Sequence, residues 1–247
     1  MLKNPRHQEI LKILEKSTYA SIQDITKLTY SSISTIRRDL IYLEQKNLLV
    51  RSHGGAMLPH SSNVVPTAFR ATSNVLAKKA ICKKVLSQIQ DSMTIFLDDS
   101  TTLSFLVKYL HNFENLNLIT NSLRLSNILA NENLPFACTG GKITNHTCFT
   151  GSQTEAFIRR YNADLYLFSS TGITPNGLIV DNGELETSIK NVMLENSQKH
   201  IYLCDESKII NSAKFNLTNI SNVDMIYTTA PKELFSFGQE KIVFVDA

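Results

Sequence analysis

Apolar residues recur at helical spacing through the first 45 positions. Ile10, Leu11, Ile13 and Leu14 form a stripe between charged neighbours and predict a helix over residues 6–16. Ile22, Ile25 and Leu28 predict a second, short helix over 21–28, with Ser21 placed to cap it. Tyr30, Ser31 and Ser32 make a turn. Ile33, Ile36, Leu40 and Leu43 then share one face of a third helix over residues 32–45. A short apolar run, Leu48-Leu49-Val50, leads into Arg51-Ser52-His53-Gly54-Gly55. Helix, short helix, turn, long helix and a β-like wing is the order of a winged helix-turn-helix.

The pattern changes after that. LPHSSNVVP at 58–66 holds two prolines and little that is apolar, and it reads as a linker extending to about residue 74. From residue 75 helix-like segments (75–89, 101–111, 122–131, 151–160 and 184–198) are interleaved with short β-rich runs at 94–97, 116–120, 136–139, 165–168, 201–204, 225–227 and 242–245. These runs are rich in Ile, Leu, Val and Phe and alternate only weakly, as strands of a mostly parallel sheet covered on both faces do. The expected organisation is therefore a winged helix-turn-helix DNA-binding domain at 1–57, a linker at 58–74 and an α/β domain at 75–247.

Charge separates the two parts. Residues 1–57 hold nine Lys/Arg against five Asp/Glu, a net of +4, while the rest holds 16 against 17. A basic module attached to a neutral domain fits nucleic-acid binding. No apolar run approaches the roughly 20 residues that span a bilayer, and the amphipathic first segment lacks a signal peptide's apolar stretch. A cytoplasmic protein with no membrane association is expected. Cys82, Cys138, Cys148 and Cys204 are scattered without a CxxC pair, so reduced thiols are expected and no metal or other cofactor.

With Ile36 turned to the core, Ser34 and Arg38 point outward and Arg37 lies on the flank. Ser32, Ser34 and Thr35 are small hydroxyl residues that permit close approach to a major groove, and Arg grips guanine or phosphate through two hydrogen bonds. Arg51, His53 and Gly54 place a basic tip on a wing whose glycines let the backbone near DNA. TIRRDL at 35–40, LEQKNLL at 43–49 and RSHGGA at 51–56 closely resemble the signature of the DeoR family of bacterial regulators, over about 25 residues. Asn47 stands where that family usually has Gly; Asn also tolerates the left-handed conformation of a helix cap.

Three polar clusters follow predicted strands: Asp98-Asp99-Ser100-Thr101-Thr102, Thr120-Asn121-Ser122 and Thr139-Gly140-Gly141-Lys142. In an open α/β sheet, ligands lie beyond the carboxyl ends of the strands, where helix N-termini favour phosphate. LDDSTT, TNS, TGG, STGI at 170–173, the Glu186/Lys190 pair and DESK at 205–208 follow the order of DeoR sensor domains, so the resemblance spans nearly the whole chain. It implies a sensor similar in fold to ribose-5-phosphate isomerase and glucosamine-6-phosphate deaminase, a phosphorylated small-molecule effector, double-stranded operator DNA as partner, and a homo-oligomer, dimer or tetramer. Carried over by position, the effector contacts are Asp98, Ser100, Thr101, Thr102, Thr120, Asn121, Gly140, Gly141, Gly172, Lys190 and Lys208, with Arg70 and Lys78 near the pocket. The chain departs from the family at Ser100 (usually Gly), Ala77 (usually Glu) and Thr229 (usually acidic).

Two other readings stand beside the expected repressor of a sugar or nucleoside catabolic operon. One is a sugar-phosphate isomerase or deaminase using Asp98, Asp99, Asp181, Glu186, Lys190 and Lys208 as acids and bases, although no complete catalytic constellation can be assembled. The other is a protein-interaction module. The outward Arg/Ser face speaks against it, because interfaces favour aromatic anchors.

Overall fold

Asn4 caps the first helix, α1 (Pro5–Lys16), with proline at its first position, where a missing N–H removes no hydrogen bond. A computed structural model of the chain describes residues 4–17, 19–46, 48–52, 54–58, 67–145, 147–210, 212–235 and 238–246. It divides into two units, residues 1–75 and 76–247. After α1 come β1 (Ala20–Ser21), α2 (Ile22–Leu28), α3 (Ile33–Gln45), β2 (Val50–Ser52) and β3 (Gly55–Met57). Ser21 and Ser32 cap α2 and α3 through their hydroxyls. The three strands form an antiparallel sheet in the order β1-β3-β2, and Ile10, Leu14, Ile25, Ile36, Leu40, Leu43 and Leu49 fill one core between helices and wing.

Two positions depart from the apolar stripes. Leu28 is 55 % exposed and Ile33 is 45 % exposed. Both lie at helix ends, where the chain turns away before the stripe meets the core. Helix α4 (Thr67–Thr72) forms inside the stretch read as linker; TAFRAT contains neither Gly nor Pro, and Arg70 donates to Thr67 Oγ1 at 2.9 Å.

The second unit begins with most of α5 (Val75–Val85), then β4 (Thr94–Leu97), β5 (Asn117–Thr120), α6 (Leu123–Asn131) and β6 (Phe136–Cys138). A hairpin of β7 (Lys142–Thr144) and β8 (Cys148–Thr150) follows, then α7 (Ser152–Ile158), β9 (Ala163–Phe168), β10 (Gly172–Ile173), β11 (Leu178–Asp181), α8 (Glu184–Glu195) and β12 (Ser197–Cys204). The chain closes with β13 (Phe215–Asn219), β14 (Met225–Thr228) and β15 (Ile242–Phe244). The seven runs read as strands from sequence assemble into one seven-stranded sheet, β15-β14-β12-β9-β4-β5-β6, with every pairing parallel. Alternate residues enter opposite cores. Phe96, Tyr166, Phe168 and Tyr202 pack on the α7/α8 side, and Ile95, Leu97, Leu165 and Leu167 on the α5/α6 side. Burial on both faces is why the strand pattern alternates so weakly.

Residues 101–111, whose spacing predicts a helix, form two 3₁₀ segments at 103–105 and 107–112 instead. Leu103, Leu106, Val107 and Leu110 are fully buried there, and packing these four side chains against the sheet wins over α-helical propensity. Helix α8 stops at Glu195 because residues 197–202 are drawn into register with β9, Ser197 opposite Ala163. The β7–β8 hairpin and the small antiparallel sheet β10-β11-β13 were not expected from the sequence. Their strands are two to five residues long and partly polar, too short for a period-two signal.

Candidate nucleic-acid interface and effector crevice

Ile36, Asp39, Leu40 and Leu43 point α3 into the core, leaving Ser32, Ser34, Arg37 and Arg38 exposed. Neither arginine has an acidic partner among the described residues. The hydroxyls are interlinked: Ser32 Oγ lies 2.9 Å from Ser34 Oγ and 2.8 Å from Thr35 Oγ1, and accepts from Thr35 N–H. Ser32 and Thr35 are thus part of the helix cap, and Ser34 stands exposed beside them. Asp39, one residue past the arginine pair, was missed in the sequence. It accepts from Arg6 Nε and, at 3.2 Å, Arg6 Nη2, and lies 3.0 Å from His7 Nε2. Burial acts to raise its carboxyl, but the bonds from Arg6 and His7 hold it below the usual range. Its cue was the Arg6-His7 pair opening an amphipathic helix. Asp39 fixes the rotation of α3 against α1, and so the direction in which Arg37 and Arg38 project.

In the wing, Arg51 is half-engaged. Its Nε donates to Glu44 Oε2 at 2.7 Å and its backbone N–H to Glu44 Oε1 at 3.0 Å, tying the wing to α3. Gly55 is the glycine the packing demands: a Cβ there would lie 2.2 Å from the Ala20 carbonyl oxygen and 2.6 Å from Tyr19 Oη. A Cβ at Gly54 would meet the Thr72 side chain, its methyl at 3.1 Å and its hydroxyl at 3.3 Å. His53 and Asn47 lie outside the described residues.

In the second unit β4, β5 and β6 fill the sheet in one direction, and the chain then returns to place β9 on the other side of β4. The gap beyond the carboxyl ends of β4 and β9 is the topological switch point, where ligands of open α/β sheets bind. Buried polar residues concentrate at these strand ends: Asp98, Thr120, Asn121, Thr139, Ser169, Ser170, Asp205 and Thr228. Asp98 latches the two halves, Oδ1 accepting from Ser100 N–H at 2.9 Å and Oδ2 from Ser169 N–H at 3.1 Å. Lys190, from α8, lies 3.7 Å from Asp98 and 2.5 Å from Asp181 at the end of β11. Burial opposes charge on Asp181, but Lys190 and the Thr171 hydroxyl outweigh it and hold the carboxyl down to about 2. Burial opposes the Lys190 charge too, and Asp181 and Asp98 override it, so its pKa is raised. Asp98, fully enclosed, is pushed up by burial despite Lys190. Lys208 donates to the Ser170 carbonyl.

Beside this cluster, Asp99 accepts from Ser122 Oγ and, at 2.7 Å, from Thr147 Oγ1, and lies 3.5 Å from Arg124 Nη2. Arg124, another residue the sequence reading missed, also donates to the Ser100 carbonyl at 2.9 Å. The hairpin closes the space beyond β5: Leu123 N–H donates to Thr147 O and Phe149 N–H to Asn121 O, both at 2.8 Å. The start of α6 is thereby occupied by protein rather than open to an anion. Gly140 and Gly141, at φ +65° and +116°, make the turn after β6, two strands from β4. Gly172 serves packing, since a Cβ there would meet the Lys208 carbonyl oxygen at 2.5 Å. Ser100 does not share their positive φ; its Oγ accepts from Leu103 N–H at 3.3 Å, so the departure from glycine becomes a cap for the next turn. Asn121 Oδ1 and Tyr166 Oη, near these clusters, are buried without a hydrogen-bond partner among the described residues. Burial, with the charges of Asp98 and Asp181, drives the Tyr166 pKa upward.

A model of the DeoR-like helix-turn-helix domain matches residues 6–62, and one of the DeoR C terminal sensor domain matches residues 73–230. The chain belongs to the DeoR family. It is a DNA-binding transcription regulator with a winged helix-turn-helix followed by a sensor domain. Among DeoR-family relatives, the Glycerol-3-phosphate regulon repressor of Escherichia coli is 32 % identical over 94 % of this chain and 92 % of that protein. The L-fucose operon activator of Haemophilus influenzae is 31 % identical, covering 91 % of each. Among solved structures, ribose 5-phosphate isomerase A from Methanocaldococcus jannaschii overlaps 56 % of each chain at a TM-score of 0.43 and 15 % identity. No helix among the described residues is long and apolar enough to cross a membrane.

Proposed function

We propose that this DeoR-family regulator represses a sugar or nucleoside catabolic operon, under control of a phosphorylated sugar or related metabolite held at the switch point of the second unit. The observation that carries this reading is the buried polar shell spanning the ends of β4 and β9, with Lys190 neutralising its carboxylates and Lys208 adding a further positive charge. Thr101 and Thr102, buried beside Asp98, add hydroxyls suited to phosphate oxygens. The DNA contacts are Ser34, Arg37 and Arg38 on α3, with Arg51 in the wing. The protein acts in the cytoplasm as a homo-oligomer matched to repeated half-sites.

Turnover is not part of the reading. Asp181 and Lys190 are driven away from neutral pKa values in opposite directions and form an ion pair, and Asp98, though raised, has both oxygens engaged by backbone N–H groups, whereas a general acid or base needs a reachable group with a pKa near the working pH. A thermal-shift screen with phosphorylated sugars tests the proposal, because a ligand that binds only the folded state raises its stability. A sugar phosphate that raises the melting temperature of the wild type should do so far less in Lys208→Ala, with affinity falling roughly 10- to 150-fold. A panel without effect on either melting or DNA affinity overturns it.

A further inference from the structure

Tyr30 lies in the turn between α2 and α3 with φ +49°. Ser31 N–H donates to the Thr26 carbonyl at 3.2 Å, closing a Schellman-type helix end in which Tyr30 holds the left-handed position that suits glycine. The side chain gains nothing from the fold in return, because it is 97 % exposed. Residues strained without compensation cluster at functional sites, and such an outlier points to a role outside folding. Its place indicates which role: it stands two residues before Ser32, the cap of α3, at the end of that helix where Ser34 is exposed and Arg37 and Arg38 follow, exposed and without an acidic partner among the described residues.

We propose that Tyr30 is a DNA-backbone contact, its hydroxyl donating to a phosphate oxygen beside the groove that α3 enters. A neutral phenol there sets register without reading sequence and without releasing a counterion. The contact therefore works on any duplex, and its loss leaves the salt dependence unchanged, in contrast to loss of an arginine.

The test uses the full chain and a mixed-sequence DNA duplex several helical turns long, titrated across ionic strength. Tyr30→Phe removes the hydroxyl alone; Tyr30→Gly removes the ring and relieves the positive φ. Both variants should bind about tenfold more weakly, with the wild-type slope against salt. The melting temperature should be unchanged in the first and equal or higher in the second. Wild-type affinity in either variant overturns the proposal, including the case where only glycine weakens binding, which would assign the contact to the ring. A flattened salt slope, or a lower melting temperature for Tyr30→Gly, overturns it as well.

Discussion

Arg37 and Arg38 stand exposed on α3 with no acidic partner among the described residues, whereas Lys190 in the second unit is held between two carboxylates, with 14 % of its side chain exposed. The first arrangement leaves cations hydrated and ready to neutralise phosphates, a favourable exchange because condensed counterions are released. The second places charge where water is scarce, so each charge depends on its partner. One set of charges is open to solvent; the other is enclosed and held by its own partners. Substitutions on the helix should therefore change binding and leave stability alone, and substitutions in the crevice should do the reverse before any ligand is considered.

The strongest break in this contrast is Lys190→Ala. It strands Asp98 and Asp181 without their cation, and denaturant unfolding of the second unit should show a loss of roughly 3–5 kcal/mol. A loss below about 1 kcal/mol, the range of exposed pairs, would mean the crevice is wetter than its burial suggests.

Acid titration sharpens the same point. Because Asp181 is held down to about 2 in the fold, against roughly 3.9 in an unfolded chain, its ionisation contributes on the order of 2 kcal/mol. A lowered carboxylate pKa stabilises above the unfolded value and ceases to as pH falls through the folded one. The stability difference between wild type and Asp181→Asn should therefore be full above about pH 4 and shrink towards pH 2. A difference constant across that window refutes the ion-pair account.

Arg38→Ala moves to the exposed side of the comparison. Operator affinity should fall by about 1–3 kcal/mol with specificity relaxed at one position, while thermal unfolding stays at the wild-type value. Arg51→Ala is intermediate: binding weakens on all sequences, and the lost Glu44 pair removes roughly 0.2–1 kcal/mol of stability. Unchanged DNA affinity in both would place the interface elsewhere. The smallest effect belongs to Ser100→Gly, which deletes one cap hydrogen bond to Leu103 N–H and should destabilise by only a few tenths of a kcal/mol. A stabilised variant would show that the serine is strained in the loop.

The two sites were unequally legible in the sequence. The α3 surface follows from a 3.6-residue period: once Ile36, Leu40 and Leu43 face the core, Ser34 and Arg38 must face out. Asp39 was not legible, because its Arg6 and His7 partners are about 32 residues away in sequence and meet only when α1 packs on α3. In the second unit the strand ends were visible as polar residues after apolar runs, yet which ends adjoin was not. Nothing local to Asp98 says that Ser169, 71 residues on, will donate to it.

By itself the sequence determined the two-part organisation, the helix-turn-helix with its outward arginines, and the seven parallel strands, because periodicity, capping and charge are local properties. Only the tertiary structure decided the strand order, the closure of the α6 start by the β7–β8 hairpin, and the Asp98–Lys190–Asp181 cluster. Those depend on pairing distant segments, and the pairing is selected by burial on both faces of the sheet, which no stretch of chain encodes alone.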